Sequence, residues 1–353
     1  MKILMTQDLF PPDVAGGGET LSLKIATELA NKGYEIKVIC SGDYKIKKYQ
    51  GIESIRIPIN RYLMNFSFPI IKKYSKDVDV IHTSSGNVCY ASYLASRISK
   101  KPILCYIHHI FGKNWKVVRG PIIGSAFETM EKFYLVRDYD AYVFQNNLSK
   151  KIGVDIGIRR DKINILTPGT EVKKYDYKKK EDCVLFVGNF SMDKFVAKIK
   201  GLDNLIESAK IMKETDFIIV GGGSYIEKLK TNSPDNVFFT GPLKDKEIVN
   251  VYNKASIFCL PSLTEGFGIT ILEAMSAGCA VTSTVDIGQC GNIMSSNSVN
   301  QIIKNIRYYK ENPRVTRKYG LENRKIAKKY TWGSFLKRLI DIYDSIITER
   351  SEI

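Results

Sequence analysis

The chain has 353 residues, enough for two domains of ordinary size. Hydrophobic residues make up 44% and charged residues 25%, which fits a globular chain and excludes a disordered one. Lys and Arg number 53 against 37 Asp and Glu, a formal charge of +16, so either an anionic partner or a plain solvated basic face is implied.

Among anionic partners, a membrane surface and phosphorylated ligands rank above nucleic acid. No basic run exceeds Lys178, Lys179, Lys180, and no zinc-finger or RNP pattern appears, so no nucleic acid is expected. Cys40, Cys89, Cys105, Cys183, Cys259, Cys279 and Cys290 form no CxxC, and several lie in apolar runs. They are expected to be small buried hydrophobes in a reducing compartment, with no metal among them. The opening "MKILMTQDLF" is too short an apolar stretch for a signal sequence and suits a first buried strand. No apolar run approaches the roughly 20 residues that span a bilayer. A cytoplasmic protein is expected, with any membrane contact peripheral.

In chain order, short apolar runs predict strands at 2–6, 35–40, 54–58, 78–83, 103–108, 141–145 and 163–167. Helical patterns separate them. In "GETLSLKIATELANKG" (18–33), Leu21, Ile25, Ala26 and Leu29 share a face and Gly33 supplies the stop. The stretch 171–182, "EVKKYDYKKKED", has no apolar period and is expected to be a linker. The alternation then restarts with strands at 183–188, 216–223, 236–241, 256–261 and 280–285. A long amphipathic helix over 330–350 presents Trp332, Phe335, Leu339, Ile342 and Ile346 at helical spacing. The expected architecture is α/β: two doubly wound, parallel-sheet domains with a cleft between them. The domains are 1–172 and 183–330, the linker 173–182, and the last helix 331–353 crosses back toward the first domain.

In such sheets ligands bind beyond the carboxyl ends of the strands. Gly16, Gly17 and Gly18 follow the first strand and open a helix, a place suited to phosphate, although the third glycine of a dinucleotide fingerprint is missing. His82, His108 and His109 all follow apolar strand runs. Neighbouring residues on a strand point to opposite sides, so one of His108 and His109 at most faces the cleft. Lys200 and Gly201 are expected to begin a helix, where a lysine opposes the dipole and suits a phosphate contact. Gly221, Gly222 and Gly223 repeat the strand–glycine–helix device.

The stretch "PSLTEGFGITILEAMSAG" (261–278) holds Glu265 and Glu273, eight residues apart, among glycines and apolar residues. It is expected to be a loop followed by a helix ending at Gly278, with Ile269, Leu272, Met275 and Ser276 on its inner face. A carboxylate accepts two hydrogen bonds from a vicinal diol with good geometry. One glutamate for a ribose and one for a second sugar describes a site for a nucleotide sugar.

The stretch "EGFGITILEAMSAG" resembles the E-x7-E signature of retaining GT-B glycosyltransferases of the family 4 type. The segments "GGGETLSLKIATELANKGYEIKVI", "PILCYIHH", "INILTPGTE", "VGNF…KGLDNLIESAK" and "YTWGSFLKRLIDIY" resemble other parts of the same family, so the resemblance runs essentially the length of the chain. It implies a GT-B fold of two Rossmann-like domains and a hexosyltransferase-type activity that retains anomeric configuration. The donor is a UDP-, GDP- or ADP-sugar and the acceptor a glycan or lipid-linked molecule; the charge of +16 adds an anionic membrane surface as an expected partner. No metal and no cofactor are implied.

Carried over residue by residue, the resemblance has Glu273 binding the ribose diol and Glu265 binding donor-sugar hydroxyls. Gly266, Phe267, Gly268 and Ile269 offer backbone contacts, Lys200 holds the diphosphate, and Gly17 and Gly18 line the opposite wall of the cleft; the glycine run at Gly222 also suits close approach of the donor. His108 faces the sugar near the anomeric carbon, with His109 as its rival. The catalytic set is thus His108, Glu265 and Lys200.

Three departures stand out. Asn189 occupies the position of a usual diphosphate-binding arginine, with Lys194 and Lys198 nearby as replacements. "VDIGQCGNIMSS" lacks an acidic Gly-Gly…Glu segment. Asn146 stands where serine is common. The first departure keeps open a non-catalytic GT-B binding or scaffold subunit. A phosphorylase-like or epimerase enzyme is a third reading, for which no pyridoxal-site signature is visible. Two segments, 61–76 and 111–124, mix aromatic, apolar and basic residues and suit an anionic lipid surface or ordinary packing.

Overall fold

The computed structural model describes residues 1–13, 17–177, 180–188, 194–223 and 225–352. Two compact units emerge: residues 1–145, 149–167 and 333–353 form the first, and residues 146–148 and 168–332 the second.

Unit 1 is built on an eight-stranded sheet. Its strands are β1 (Lys2–Thr6), β2 (Glu35–Ser41), β3 (Lys48–Tyr49), β4 (Ile52–Ile57), β5 (Val80–Ser84), β6 (Ile103–Tyr106), β7 (Ala141–Phe144) and β8 (Ile163–Ile165). They lie in the order β3-β4-β2-β1-β5-β6-β7-β8. Only β3, a two-residue edge strand, runs antiparallel to its neighbour. The central strands β5, β6 and β7 are buried at every position. That is why they read as apolar runs rather than alternating ones: helices cover both faces of a parallel sheet. The helix Gly17–Asn31 buries Leu21, Ser22, Leu23, Ile25, Ala26 and Leu29, the expected stripe widened by two residues.

Unit 2 carries a six-stranded sheet of β9 (Glu181–Val187), β10 (Asp216–Val220), β11 (Val237–Gly241), β12 (Ala255–Leu260), β13 (Ala280–Ser283) and β14 (Gly291–Ile293). The order is β11-β10-β9-β12-β13-β14, all parallel. Short β3 and β14 were absent from the expected strands, because two or three residues at a sheet edge carry no apolar period.

The expected linker 173–182 is not a free connection. Tyr175 is buried in the core of unit 2, and Asp176 N–H donates to Asn253 Oδ1 at 3.0 Å. Lys180 Nζ donates to the carbonyls of Tyr252 and Ala277 at 3.1 and 2.7 Å, and burial lowers its pKa. The chain leaves unit 1 at residue 167, earlier than the expected boundary at 172. Lysine-rich composition hid this docking because the Lys180 ammonium is held by main-chain carbonyls, which composition does not register.

The last helix, Trp332–Ser351, belongs to unit 1 from Gly333 onward. It buries Phe335, Leu336, Leu339, Tyr343 and Ile346, so the inner stripe includes Tyr343 in place of the half-buried Ile342. The Tyr343 hydroxyl lies 2.5 Å from His82 Nδ1 on β5, 261 residues away. The His82 ring stacks on Tyr106 at 5.4 Å. All three residues are fully buried. Burial pushes the His82 pKa down to about 3, with nearby His108 adding to the effect.

This buried pair sets a pH dependence. An unfolded His82 binds a proton below about pH 6.5, whereas the folded one refuses it until about pH 3. Its stabilising contribution is therefore present above pH 6.5 and is lost as pH falls toward 3, by up to about 1.4 kcal/mol per pH unit. In urea titrations across this range, His82→Phe should flatten that slope relative to the wild type. Tyr343→Phe should cost about 1–3 kcal/mol at neutral pH by stranding a buried ring nitrogen.

Candidate functional site

In unit 2 the site grows from loops at the carboxyl ends of β9 and β12. After β9 the chain passes through residues 189–193, which lie outside the described set, and with them Asn189. It resumes in the helix Lys194–Lys200; the side chain of Lys194 is likewise outside the description. Gly201 then breaks the helix in the left-handed region (φ 70°), and a second helix, Leu202–Ile211, follows. Lys200 thus ends a helix rather than beginning one, which corrects the expectation. Its charge meets the negative end of the dipole, and no dipole penalty has to be explained.

Gly201 is required sterically as well. A Cβ there would sit 2.0 Å from the carbonyl oxygen of Pro261, and Leu263 N–H donates to Ile199 O at 2.7 Å. This backbone-on-backbone approach brings the two loops together. Lys200 Nζ meets Glu265 Oε1 at 2.5 Å, and Ser262 Oγ donates to the same oxygen at 2.9 Å. Glu265 is only 7% exposed, so its charge needs partners such as these.

The loop continues through Gly266, Phe267 and Gly268. Asn146 Nδ2 donates to Gly266 O at 2.5 Å, so the residue that departs from the family's serine fastens this loop. Phe267 inserts into the core. Gly268 takes φ 83° as N-cap of the helix Ile269–Ala277. Ile269, expected on the inner face, is exposed; Ile271, Leu272, Ala274, Met275, Ser276 and Ala277 are buried instead. The left-handed cap rotates the first residue of the helix outward at the open strand end. Glu273 is half-buried, and Tyr252 donates its hydroxyl to Glu273 Oε2 at 2.8 Å. Tyr252 is wholly buried, and burial followed by the glutamate's charge raises its pKa well above the usual value. No sequence signal marked Tyr252, which lies on the neighbouring helix Asp245–Lys254.

Gly222 follows β10. A Cβ on it would press on the Pro242 ring at 2.8 Å, and its neighbours Gly221 and Gly223 take φ 131° and 152°. The segment 285–296 is self-stitched. Gln289 Oε1 accepts from Ile287 N–H and Gln289 Nε2 donates to Val285 O, both within 2.8 Å.

Unit 1 has its own cluster at the ends of β1 and β6. Gly16 lies outside the described residues; Gly17 begins the helix with open space where a Cβ would stand. A Cβ on Gly18 would lie 3.4 Å from the His108 ring. His108 and His109 lie beyond the end of β6, in a loop rather than on the strand, and part company there. His108 Nε2 is 3.0 Å from Ser22 Oγ, while His109 packs on Phe111 with centroids 4.2 Å apart. Ser22 donates its single hydroxyl proton to Gly18 O at 3.0 Å, so Oγ is left to accept from His108 Nε2–H. Nδ1 then carries the lone pair, buried and without a hydrogen-bond partner. Burial pushes the His108 pKa down to about 4, keeping the ring neutral.

Behind this cluster, Arg56 donates to the carbonyls of Phe10 and Pro11 and to Asp13 Oδ2, clamping the turn that leads toward the glycines. Asp8 accepts from the backbone amides of Asn87 and Val88, and burial raises its pKa to about 6. Neither Arg56 nor Asp8 was marked by the sequence. Among the described residues there is no group of three His, Cys, Asp or Glu placed to hold a metal ion. All seven thiols are free, and all except Cys290 are buried.

Two sheet units with glycine-rich strand ends and a loop–helix pair of glutamates define a GT-B glycosyltransferase. Residues 15–174 match the model of Glycosyltransferase Family 4, and residues 169–326 match that of Glycosyl transferases group 1. The chain belongs to this family of glycosyltransferases. It is 20% identical to a phosphatidyl-myo-inositol mannosyltransferase of Mycobacterium leprae, over 97% of this chain and 96% of that one. Its fold is similar to that of a sucrose-phosphate synthase from Thermosynechococcus elongatus, with TM-score 0.81, 17% identity, and 99% of each chain covered. It is also similar to Anabaena HepE in complex with UDP-glucose, with TM-score 0.76, 16% identity, and 98% of this chain and 100% of that one covered.

Two outcomes test the geometry. Gly201→Ala should destabilise unit 2 by about 2 kcal/mol or more, read as a lowered urea midpoint, because both the clash and the positive φ oppose it. In nitrogen-15 NMR, His108 should show the Nε2-protonated neutral tautomer at pH 7. Ser22→Ala should release the ring into a tautomer mixture, and Ser22→Thr should restore the single form.

Proposed function

We propose that the protein transfers a sugar from a nucleotide-diphospho-sugar to a glycan or lipid-linked acceptor, with retention of anomeric configuration. The observation that carries this reading is the Glu265–Lys200 pair beside Glu273 on the next helix. Two carboxylates held by different partners are suited to gripping different hydroxyl pairs, and a lysine beside them is suited to a diphosphate. The structure of HepE with UDP-glucose and the lipid named for the mycobacterial mannosyltransferase support the donor and acceptor classes by similarity.

On this reading Glu273, oriented by Tyr252, accepts from the ribose diol. Glu265 accepts from donor-sugar hydroxyls, and the backbone of Gly266, Phe267, Gly268 and Ile269 lies against sugar and diphosphate. In the free protein Lys200 neutralises Glu265; on donor binding it shares its charge with the diphosphate. The bond from the anomeric carbon to the diphosphate oxygen breaks while the acceptor oxygen bonds to the same face. The acceptor proton passes to the departing phosphate oxygen, whose developing charge Lys200 stabilises. No metal or organic cofactor is required in this scheme. His108, neutral through burial, offers a hydrogen-bonding nitrogen rather than a charge. Gly17, with open space where a Cβ would stand, leaves room for substrate in unit 1, whereas the Cβ positions of Gly18 and Gly222 face the His108 and Pro242 rings.

A panel of UDP-, GDP- and ADP-sugars should include one that raises the melting temperature of the purified protein. Glu273→Ala should weaken affinity for the matching free nucleoside diphosphate about tenfold or more, through loss of charge-assisted hydrogen bonds. Glu265→Ala should leave that affinity nearly unchanged and cut turnover of the donor. An equal loss of nucleotide binding in both variants would overturn this division. A donor that binds and is neither hydrolysed nor transferred would argue for a non-catalytic subunit instead.

A further inference from the structure

Unit 1 exposes large apolar side chains on two segments distant in sequence. Tyr62, Leu63 and Phe66 stand out from the 3-10 turn Arg61–Ser67, with Phe66 78% exposed. Ile122, Ile123 and Phe133 stand out from the helix Pro121–Leu135, with Ile122 85% exposed. That helix buries only Gly124 and Leu135 of its 15 residues, so its apolar side chains are not spent on the core.

The tertiary structure joins the two segments through the start of the helix Cys89–Ser99. Asn65 Oδ1 accepts from Ala91 N–H at 3.2 Å, and the Tyr90 ring lies 5.0 Å from that of Phe133. An apolar patch gathered from separate elements marks an interaction site.

Its charge identifies the partner. Residues 61–76 contain Arg61, Lys72, Lys73 and Lys76 and no acid. Residues 111–137 contain Lys113, Lys116, Arg119, Lys132 and Arg137 against two acids, both engaged internally. Glu128 pairs with Lys116 at 3.0 Å, and Glu131 accepts from the amides of Phe111 and Gly112 at 3.0 and 2.7 Å. The Arg137 guanidinium lies over the Phe133 ring at 4.1 Å, a cation directly on the apolar patch. A second copy of the chain would bring like charges face to face, which is unfavourable. An anionic bilayer meets both requirements: headgroup phosphates for the Lys and Arg residues, and acyl chains for the apolar tips.

We propose that this face of unit 1 docks on an anionic lipid bilayer, with Phe66, Ile122, Ile123 and Phe133 entering the boundary between headgroups and acyl chains. The proposal deepens the lipid-linked reading of the acceptor and rests on it for its purpose, but its residues lie outside the donor site. Among the described residues no helix is long and apolar enough to cross a membrane, so the contact is a surface one for them.

Vesicle flotation tests it. The purified protein should float with vesicles of phosphatidylglycerol and phosphatidylcholine, less with phosphatidylcholine alone, and less at high salt. Ile122→Asp with Ile123→Asp should lower the partition coefficient about tenfold or more. Lys113→Glu with Lys132→Glu should lower it for the anionic vesicles only. All four positions are exposed, so melting temperatures should match the wild type. Absence of flotation with anionic vesicles, or variants that float like the wild type, overturns the proposal. So does a dimer in sedimentation velocity that Ile122→Asp with Ile123→Asp dissolves. Flotation lost while a nucleotide sugar still raises the melting temperature strikes this proposal alone; the reverse strikes the donor reading alone.

Discussion

The close approach of Gly201 to Pro261 is the constraint on which the pairing of Lys200 with Glu265 depends. Only a residue without a Cβ allows the end of one helix to touch the backbone leaving β12. That contact sets Lys200 against Glu265 and closes water away from the carboxylate. The ion pair therefore follows from backbone geometry, and its position is as rigid as the two loops that carry it. A buried pair of this kind is weak as a source of stability. Its value is positional: a carboxylate and an ammonium are held against each other at the carboxyl ends of the strands.

Unit 1 solves a similar problem differently. The first helix meets the His108 ring beside Gly18, and Ser22, one turn later, fixes which ring nitrogen carries the proton. Behind His108 the rings of Tyr106, His82 and Tyr343 follow one another at 4.8, 5.4 and 6.0 Å between centroids. The last helix is thus tied by an aromatic column to the strand that presents the histidine. Burial keeps both imidazoles neutral, so the column contributes shape and hydrogen bonding rather than charge.

Much of the architecture was legible from local pattern. Buried parallel strands are apolar runs of fixed length, and amphipathic helices repeat at their own period, so most elements appeared within a few residues of their observed bounds. Glu265 and Glu273 were also legible, because a loop–helix boundary marked by glycines is a local signal. The segment 173–182 differs from a free linker because Tyr175 enters the core of unit 2 and Lys180 bonds to backbone carbonyls. Ile269 and Lys200 were misplaced because helix limits depend on left-handed glycines whose φ no composition reveals.

The sequence by itself determined the two α/β units, the family, and the spacing of the two glutamates, since each is written in contiguous residues. Only the tertiary structure decided which lysine meets Glu265, that Tyr252 orients Glu273, and that Ser22 holds His108. It also decided that Tyr343 reaches His82 and that Asn65 and Phe133 both meet the start of the helix Cys89–Ser99. The physical reason is common to all of these. Each depends on groups from distant segments being brought within a few ångströms by the burial of other side chains, and periodicity carries no record of which segments will meet.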